Sequence, residues 1–429
     1  MAALLKKSRS DQGHGTRLME LRPILSTLRR HKITSWLLIL EIALTCAIVC
    51  NAVFMIGHRL QHMHMSSGID EHALVKIQLA QIAPTPDIFV RAREDLAVLR
   101  QVPGVQAAAL TNQLPMEGSS SNASLKLDPA QREPTLSAGT YFGEDLPQTM
   151  GARLVAGRNL QPDEIVNADV VVKALASGNT KGLPAAVTVI TQALADRLWP
   201  GQSPLGKTIY LTDQVGVRVV GVLADLARAN AYNDATAHYS VVLPLFMGVG
   251  RNQSYVVRTR PQDREVVLKA AVAALKKADP ERVVTQQRTY DELRGKFFAN
   301  DRAMAGILVG VIVALLIVTA LGIAGLASFW VAQRRRTIGV RRALGATRGD
   351  ILRYFQTENF LIVTGGIVLG MLLAFALNLV LMQHYELPRL PLYYLPIGAL
   401  LLWGLGQLAV LGPAMRAAAV PPVVATRSI

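Results

Sequence analysis

The sequence has few cysteines and few charged residues. Only two of its 429 residues are cysteines, and both, Cys46 and Cys50, lie in one apolar run. This excludes a disulfide framework and a zinc site built from cysteine ligands. Charged residues make up 17% of the chain and hydrophobic residues 51%. This balance excludes an intrinsically disordered chain and is atypical of a wholly soluble enzyme.

The sequence also lacks the motifs of a hydrolase or an ATPase. It contains no GxSxG, no HExxH and no LSGGQ. Residues 201–208 match the P-loop pattern GxxxxGK[ST], but a P-loop needs a strand before it and a helix after it. Here a predicted helix, 191–199, precedes the stretch and a predicted strand, 208–211, follows it. We therefore predict a plain turn there, and no catalytic residue, metal or cofactor in this chain.

Four long apolar runs dominate the sequence. Each reaches the roughly 20 residues that a helix needs to cross the hydrocarbon core of a membrane. The first run has no A-x-A cleavage site, so we predict an uncleaved anchor. The predicted order is an N-terminal segment 1–32, transmembrane helix 33–56, a large domain 57–302, helix 303–332, a link 333–358, helix 359–383, a short loop 384–391, helix 392–412 and a tail 413–429.

The basic residues are distributed unevenly between these segments. The N-terminal segment, the link and the tail together hold 17 basic and 4 acidic residues, a net charge of +13. Residues 58–302 hold 27 basic and 24 acidic residues. The positive-inside rule then places both termini and the link in the cytoplasm and the large domain on the other face. The total charge of +15 is therefore a topology signal, and we expect no nucleic-acid partner.

The large domain has the pattern of a mixed α/β fold. Two β-α-β units, 75–113 and 254–288, predict a split ferredoxin-like layer. The segment of about 151–245 between them is richer in short β runs, 170–172 among them, and predicts an inserted β-rich subdomain. The stretch GSSSNAS at 118–124 is predicted to be a polar loop. Helical spacing at 57–66 and at 288–302 predicts helical stalks that join the domain to the first two membrane helices.

Glu41 and four glycines are candidates for special roles within the membrane. A carboxylate inside a membrane helix is costly and indicates a function by default. A proton relay and a hydrogen bond to Thr364 or Asn378 are both open for Glu41, and the hydrogen bond is preferred. Two GxxxG motifs predict close helix packing, within the chain or in a dimer. They are formed by Gly306 with Gly310 and by Gly366 with Gly370.

Histidines gather just after the first membrane helix. His58 and His62 are four residues apart and would share one face of a helix, with His64 and His72 nearby. Such a set is compatible with a zinc or copper site. No carboxylate or cysteine completes it, which favours a polar stalk near the lipid headgroups.

The arginine-rich link is the most informative stretch. Gly345 is expected to end one helix, and Thr347 with Asp350 forms a capping-box pattern that begins the next, about 348–355. The link also has an apolar side, formed by Ile338, Val340, Leu344 and Ile351. Such a side favours a docking surface for a partner over a loop that carries only the usual positive charge of the cytoplasmic face.

At this link the sequence resembles the FtsX-like, MacB-type permeases of ABC transporters. Residues 334–351, with TIGVRRALGATRGDI, are similar to the family pattern RxxEIGIRRALGAxxxDI. The stretch SPLGKTI at 203–209 and the ending PAMRAAAVPPV at 413–423 are also similar to family landmarks. Thr337 replaces the usual glutamate of the link, and Pro421 replaces the usual aspartate near the end.

The resemblance implies a four-span permease of the bacterial inner membrane that works as a dimer and is not itself an enzyme. A separate cytoplasmic ATPase, with its own ATP and Mg²⁺, is expected because only 32 residues precede the first span. Its motion would pass through the stalks to the periplasmic domain. The residues expected at or near the ATPase contact are Arg341, Arg342, Leu344, Asp350 and Ile351.

Three functions are compatible with this resemblance. The leading interpretation is efflux of a drug, peptide or other periplasmic cargo, with a periplasmic adaptor and an outer-membrane channel. The alternatives are release of lipoproteins from the membrane, and signalling or control of a cell-wall hydrolase without transport. Thr337 changes the charge of the docking segment. The second permease of the dimer is therefore expected to be either another copy of this chain or a paralogue. The surrounding lipid is the remaining expected partner.

Overall fold

The computed structural model describes residues 32–81, 88–177, 186–212, 215–232, 235–246, 252–385 and 389–421. Predictions for residues 1–31, and for the end of the tail, lie outside the described residues. The helices are α1 (Lys32–Met63), α2 (Ile88–Arg100), α3 (Leu146–Met150), α4 (Ala168–Ala176), α5 (Gln192–Leu198), α6 (Arg264–Ala278), α7 (Tyr290–Phe297), α8 (Ala299–Gln333), α9 (Arg335–Ala343), α10 (Arg348–Tyr385) and α11 (Tyr394–Ala418).

The strands all lie between α1 and α7. They are β1 (Leu74–Gln81), β2 (Val105–Leu110), β3 (Asn122–Leu125), β4 (Leu136–Phe142), β5 (Leu154–Gly157), β6 (Val166–Asn167), β7 (Val187–Thr191), β8 (Thr208–Thr212), β9 (Val215–Leu223), β10 (Ser240–Leu243), β11 (Leu245–Phe246), β12 (Asn252–Thr259) and β13 (Arg282–Thr289). The described residues divide into two compact units, a helical bundle (32–61 with 301–421) and the large domain (His62–Asn300).

The bundle is built on α1. Four helices, α1, α8, α10 and α11, are long and apolar enough to cross a membrane. Within the described residues 61% of the most apolar stretch of α1 is buried, against 11% for α8. The neighbouring helices of the bundle carry small and polar residues, which let their backbones approach α1 closely. This explains the central position of α1.

The GxxxG glycines of α10 lie against α1. A methyl group on Gly370 would lie 2.5 Å from the Cβ of Cys46, and one on Gly366 would lie 2.7 Å from the Cβ of Ile42. By contrast, no atom lies within 4 Å of a methyl group placed on Gly306 or Gly310 of α8, among the residues the structure describes. The two motifs therefore differ, since one packs inside the bundle and the other faces outward.

This difference gives a matched pair of variants. We expect Gly370→Leu to destabilise the bundle by at least about 1–3 kcal/mol, because overpacking displaces neighbouring backbone. Gly310→Leu should leave the unfolding temperature of the detergent-solubilised chain unchanged. If the α8 motif joins two copies, Gly310→Leu will instead lower the dimeric fraction in analytical ultracentrifugation. Equal unfolding temperatures for both variants would contradict the packing of α10 on α1.

The first layer of the large domain is ferredoxin-like, as predicted. Its four-stranded sheet has the order β13-β1-β12-β2 with every neighbouring pair antiparallel. Helices α2 and α6 cover it through apolar faces that include Leu96 and Leu275. A buried ion pair between Asp95 of α2 and Arg282 of β13, 2.7 Å from Oδ1 to Nη2, ties a helix to the edge strand. The hydroxyl of Tyr255 donates to the same carboxylate at 2.5 Å.

The second layer is a seven-stranded mixed sheet with the order β3-β4-β10-β7-β9-β5, and β8 pairs with β9. Strands β4 and β10 are parallel, as are β7 and β9. One apolar cluster contains side chains of both sheets, among them Leu74 and Val256 of the first and Tyr141 and Val242 of the second. The two sheets therefore share part of their core.

Several local predictions for the large domain are wrong. Residues 170–172 are not a strand, since they lie in α4, where the Asn167 side chain accepts a hydrogen bond from the Asp169 N–H. This contact begins a helix at a place where three valines favour a strand. The last residues of the polar loop 118–124 belong to β3, so the second sheet begins well before residue 151. The expected continuous helix 288–302 is interrupted at Phe298.

Candidate coupling site

The turn between α9 and α10 is closed by hydrogen bonds on both sides. We call residues 334–351, which contain α9 and this turn, the coupling segment. Gly345 has φ of 101°, and the N–H groups of Gly345 and Ala346 donate to the oxygens of Arg342 and Arg341. This is the Schellman arrangement, which favours glycine at the left-handed position. The predicted helix end at Gly345 is confirmed.

The next helix begins with the predicted capping box. The N–H of Asp350 donates to Thr347 Oγ1 at 3.2 Å, and the N–H of Thr347 donates to Asp350 Oδ2 at 2.9 Å. The short helix expected at 348–355 is the first part of the continuous helix α10. Both flanks of the turn are therefore fixed, and Asp350 acts within the turn.

The apolar residues of the coupling segment separate into two groups. Leu344 is 83% exposed at the tip of the turn, and Val340 is 46% exposed. Ile338 and Ile351 are each only 4% exposed. They pack in a small core with Phe355 and with alanines of α11. The expectation of one apolar side is wrong for these two isoleucines, because they hold the segment to the bundle.

Two arginines attach the segment to neighbouring helices. Arg334 donates to both carboxylate oxygens of Glu358 at 2.8 and 3.1 Å, and Glu358 is only 2% exposed. Arg342 donates from Nη1 to the oxygens of Ala418 and Val420, both at 2.9 Å. These oxygens lie at the end of α11, where carbonyl groups lack helical partners. Arg342, expected at the ATPase contact, thus binds the chain's own backbone.

The remaining arginines give the outer surface a single sign of charge. Asp350 is the only acidic residue in the coupling segment. The guanidinium of Arg341 lies 5.0 Å from the ring centre of Tyr354, a cation–π contact that fixes its direction. The exposed arginines between residues 335 and 353 are Arg335, Arg336, Arg341, Arg348 and Arg353. An apolar tip within basic residues is complementary to an apolar pocket with an acidic rim.

Glu41 does not contact either of its expected partners in the described bundle. Its two carboxylate oxygens lie 2.8 Å from where a methyl group on Gly322 of α8 would stand. Thr364 instead accepts from Trp403 Nε1 at 3.0 Å, and Asn378 accepts from the Leu390 N–H at 2.9 Å. One turn further along, Thr45 is hydrogen-bonded to Thr319 at 2.9 Å. Glu41 therefore belongs to the contact between α1 and α8.

The histidines do not form one cluster. His62 is within 2.6 Å of the Ala231 oxygen, and His72 is 3.1 Å from Asp291. His58 stacks on Phe54. Among the described residues, no three histidine, cysteine, aspartate or glutamate side chains come together as a metal site.

The stretch that matches a P-loop is a turn between α5 and β8, in the order predicted. Lys207 donates to Gln202 Oε1 at 2.5 Å and lies over the ring of Trp199. Its ammonium group thus binds local side chains, and the helix precedes the turn.

The ion pair between Arg334 and Glu358 was missed by sequence reasoning. The two residues are 24 positions apart, and the interruption between α8 and α9 at Arg334 separates them. A signal was present, because Glu358 is the only acidic residue of the link outside the capping box. An isolated carboxylate next to an apolar run is expected to seek a basic partner.

Two family models match the chain. Residues 35–286 match the MacB-like periplasmic core domain, and residues 309–422 match the FtsX-like permease C-terminal region. The first match alone covers more than half of the 429 residues. The chain therefore belongs to the MacB-type, FtsX-like permeases of ABC transporters. With its four apolar helices it is a multi-pass membrane protein.

Individual relatives are identical to the chain at about a quarter of the aligned positions. The macrolide export ATP-binding/permease protein MacB of Sodalis glossinidius is 25% identical over 352 residues, which are 77% of this chain and 49% of the relative. The pyoverdine export ATP-binding/permease protein PvdT of Pseudomonas aeruginosa is 29% identical over 251 residues, 53% of this chain and 35% of the relative. The chain thus spans half or less of the length of these relatives.

One solved structure with detectable likeness is the periplasmic region of MacB from Actinobacillus actinomycetemcomitans. It is 17% identical, has a TM-score of 0.33, and covers 55% of this chain and 97% of that chain.

Proposed function

We propose that this chain is the permease subunit of an efflux transporter, driven by a separate cytoplasmic ABC ATPase that binds the coupling segment. The observation that carries the proposal is the exposed Leu344, held on a turn whose two flanking helices are fixed to the bundle. A large apolar side chain in that position gains most of its hydrophobic free energy only when a partner covers it. The surrounding arginines favour an acidic partner surface.

The rigid attachment of the segment explains how a docking event would be transmitted. Arg334 joins it to α10, and Arg342 joins it to α11. Displacement of the turn by an ATPase would therefore move helices of the bundle together with it. The proposed topology, with both termini in the cytoplasm of a cell with an inner membrane, rests on the +13 charge of the segments on that side.

The remaining parts of the proposed assembly are a second permease, a periplasmic adaptor and an outer-membrane channel. The names of the relatives, which describe macrolide and pyoverdine export, support efflux of the cargo. The outward-facing GxxxG motif of α8 supports pairing of two permeases.

The test is affinity purification of the tagged chain from native membranes in mild detergent, with partners identified by mass spectrometry. We expect an ABC ATPase together with an adaptor or an outer-membrane channel. A wall hydrolase or a sensor kinase beside the ATPase would replace efflux by signalling. An ATPase with lipoprotein carriers would indicate lipoprotein release. Recovery without any ATPase, from membranes where ABC ATPases are detected, would contradict the proposal.

A further inference from the structure

The large domain contains a buried arginine beside the polar loop. Arg228, in the segment between β9 and β10, is only 8% exposed. Its Nη2 donates to Asn122 Oδ1 at 2.7 Å, and its Nη1 makes a long contact of 3.4 Å to the Ser137 oxygen. Its Nε has no acceptor among the described residues. The guanidinium therefore uses only part of its hydrogen-bonding capacity.

No described carboxylate balances the charge of Arg228. Burial lowers the pKa of the guanidinium, and Tyr141 is the neighbour that opposes this effect. Tyr141 is itself neutral, because burial raises its pKa and its hydroxyl donates to the Ala227 oxygen at 2.5 Å. Nearby Glu117 is paired with Lys76 and accepts from the Leu114 N–H. A buried cation without a counter-ion is costly, so this position has a physical reason to attract an anion.

Two donors of Arg228, Nε and Nη2, lie on the same edge of its guanidinium. Nε and Nη2 form the side of the arginine fork that binds a carboxylate through two parallel hydrogen bonds. At present Nη2 is used by the amide oxygen of Asn122, whose side chain is exposed on the edge strand β3. Ser120 Oγ donates to the same amide oxygen at 2.9 Å. Two donors thus converge on an oxygen that carries only a partial negative charge.

An exposed aromatic ring lies at the start of the same loop. Tyr232 is 63% exposed and stacks on Phe297, with ring centres 4.8 Å apart. Its hydroxyl lies 3.5 Å from where a methyl group on Gly118 would stand. Exposed tyrosine side chains combine an apolar face with a polar tip and are common in binding surfaces. The loop therefore has a cationic edge at one end and an aromatic face at the other.

We infer that residues 118–122 with Arg228 and Tyr232 form a binding site for an amphiphilic carboxylate. The carboxylate would replace the Asn122 amide oxygen and accept from Nε and Nη2 of Arg228 and from Ser120 Oγ. The apolar part of the ligand would lie on the ring of Tyr232. If this ligand is the exported cargo, the inference rests on the proposed function, but binding itself requires no ATPase.

The test uses the full chain in lipid nanodiscs without ATPase, and 4-phenylbutyrate as the probe. Saturation-transfer NMR titrations compare it with its uncharged amide, 4-phenylbutanamide, and with 4-phenylbutylphosphonate. We expect the carboxylate to bind about tenfold or more tightly than the amide, because only an ionised group forms the charge-assisted pair. Equal binding of the amide, or no binding of the carboxylate, overturns the inference. Binding of the phosphonate as tight as that of the carboxylate overturns the restriction of the site to carboxylates.

Two variants are expected to act in opposite directions. Asn122→Ala removes the amide oxygen that competes with the ligand for Nη2 of Arg228. The change should tighten binding up to about tenfold, which corresponds to the free energy of one hydrogen bond. Arg228→Lys keeps the charge but loses the fork, and should weaken binding about tenfold. Arg132→Lys, at an exposed arginine elsewhere in the domain, is the control.

The Asn122→Ala result stands even if Arg228→Lys does not fold. Weaker or unchanged binding in Asn122→Ala would overturn the displacement of the amide, and with it the site. Failure of this test would leave copurification of an ATPase unaffected, so the two proposals fail separately.

Discussion

Replacing Leu344 by aspartate should abolish ATPase docking without unfolding the permease. The side chain is 83% exposed, so its removal costs no core packing. In a partner's apolar pocket a leucine contributes about 1.5–3 kcal/mol, and a carboxylate there adds a desolvation cost of at least about 1–3 kcal/mol. These terms together correspond to a loss of affinity of roughly 100-fold or more. The measurement is equilibrium binding of the purified ATPase to the permease in nanodiscs.

Two control variants separate docking from local effects. An aspartate after the last turn of α9 also opposes the helix dipole, which costs about 0.3–1 kcal/mol. Leu344→Asn removes this charge and should still weaken binding strongly. Leu344→Met keeps an apolar side chain of similar volume and should bind normally. The assignment of Leu344 to the contact is wrong if the aspartate variant binds within threefold of the unmodified chain.

Ile351 is unsuitable for the same test, although the sequence presents it as equivalent. It is only 4% exposed and packs against Ile338 and Phe355. An aspartate there would disrupt the attachment of the coupling segment itself. Loss of docking in that variant would therefore not distinguish a contact residue from a misfolded one.

The sequence predicted the fold class because its strongest signals are periodic and local. Apolar runs of membrane-spanning length define the four long helices, and two β-α-β units with clear breaks define the first sheet, whose strand order follows the ferredoxin-like pattern. The turn at Gly345 and the cap at Thr347 were also predictable, since each depends on residues only a few positions apart.

The predictions that were wrong depended on a local cap in one case and on long-range packing in the others. The valines at 170–172 favour a strand locally, but the cap at Asn167 begins a helix there. Leu344 and Ile351 have the same hydrophobicity, and only the packing of α11 against α9 and α10 decides which of them is buried. The same reason applies to Glu41, whose neighbour Gly322 lies on a helix nearly 300 residues away in sequence.

Breaking the ion pair of Arg334 and Glu358 should destabilise the bundle. It should also stop a displacement of the coupling segment from reaching α10. Arg334→Met would leave Glu358, only 2% exposed, without its partner. An unpaired buried charge of this kind costs about 3–5 kcal/mol, so the unfolding temperature should fall well below that of Arg335→Met, the exposed neighbour. A smaller fall, equal to that of Arg335→Met, would show that the pair does not hold the segment.

The double variant Arg334→Met with Glu358→Leu separates stability from transmission. Replacing both members of a buried pair by apolar residues is often neutral or stabilising, so the unfolding temperature should recover. Leu344 is untouched, so ATPase binding should also persist. The double variant lacks the two hydrogen bonds that join Arg334 of the coupling segment to Glu358 of α10. We therefore expect normal docking with transport reduced severalfold in reconstituted vesicles, and full transport by the double variant would contradict a transmitting role for this pair.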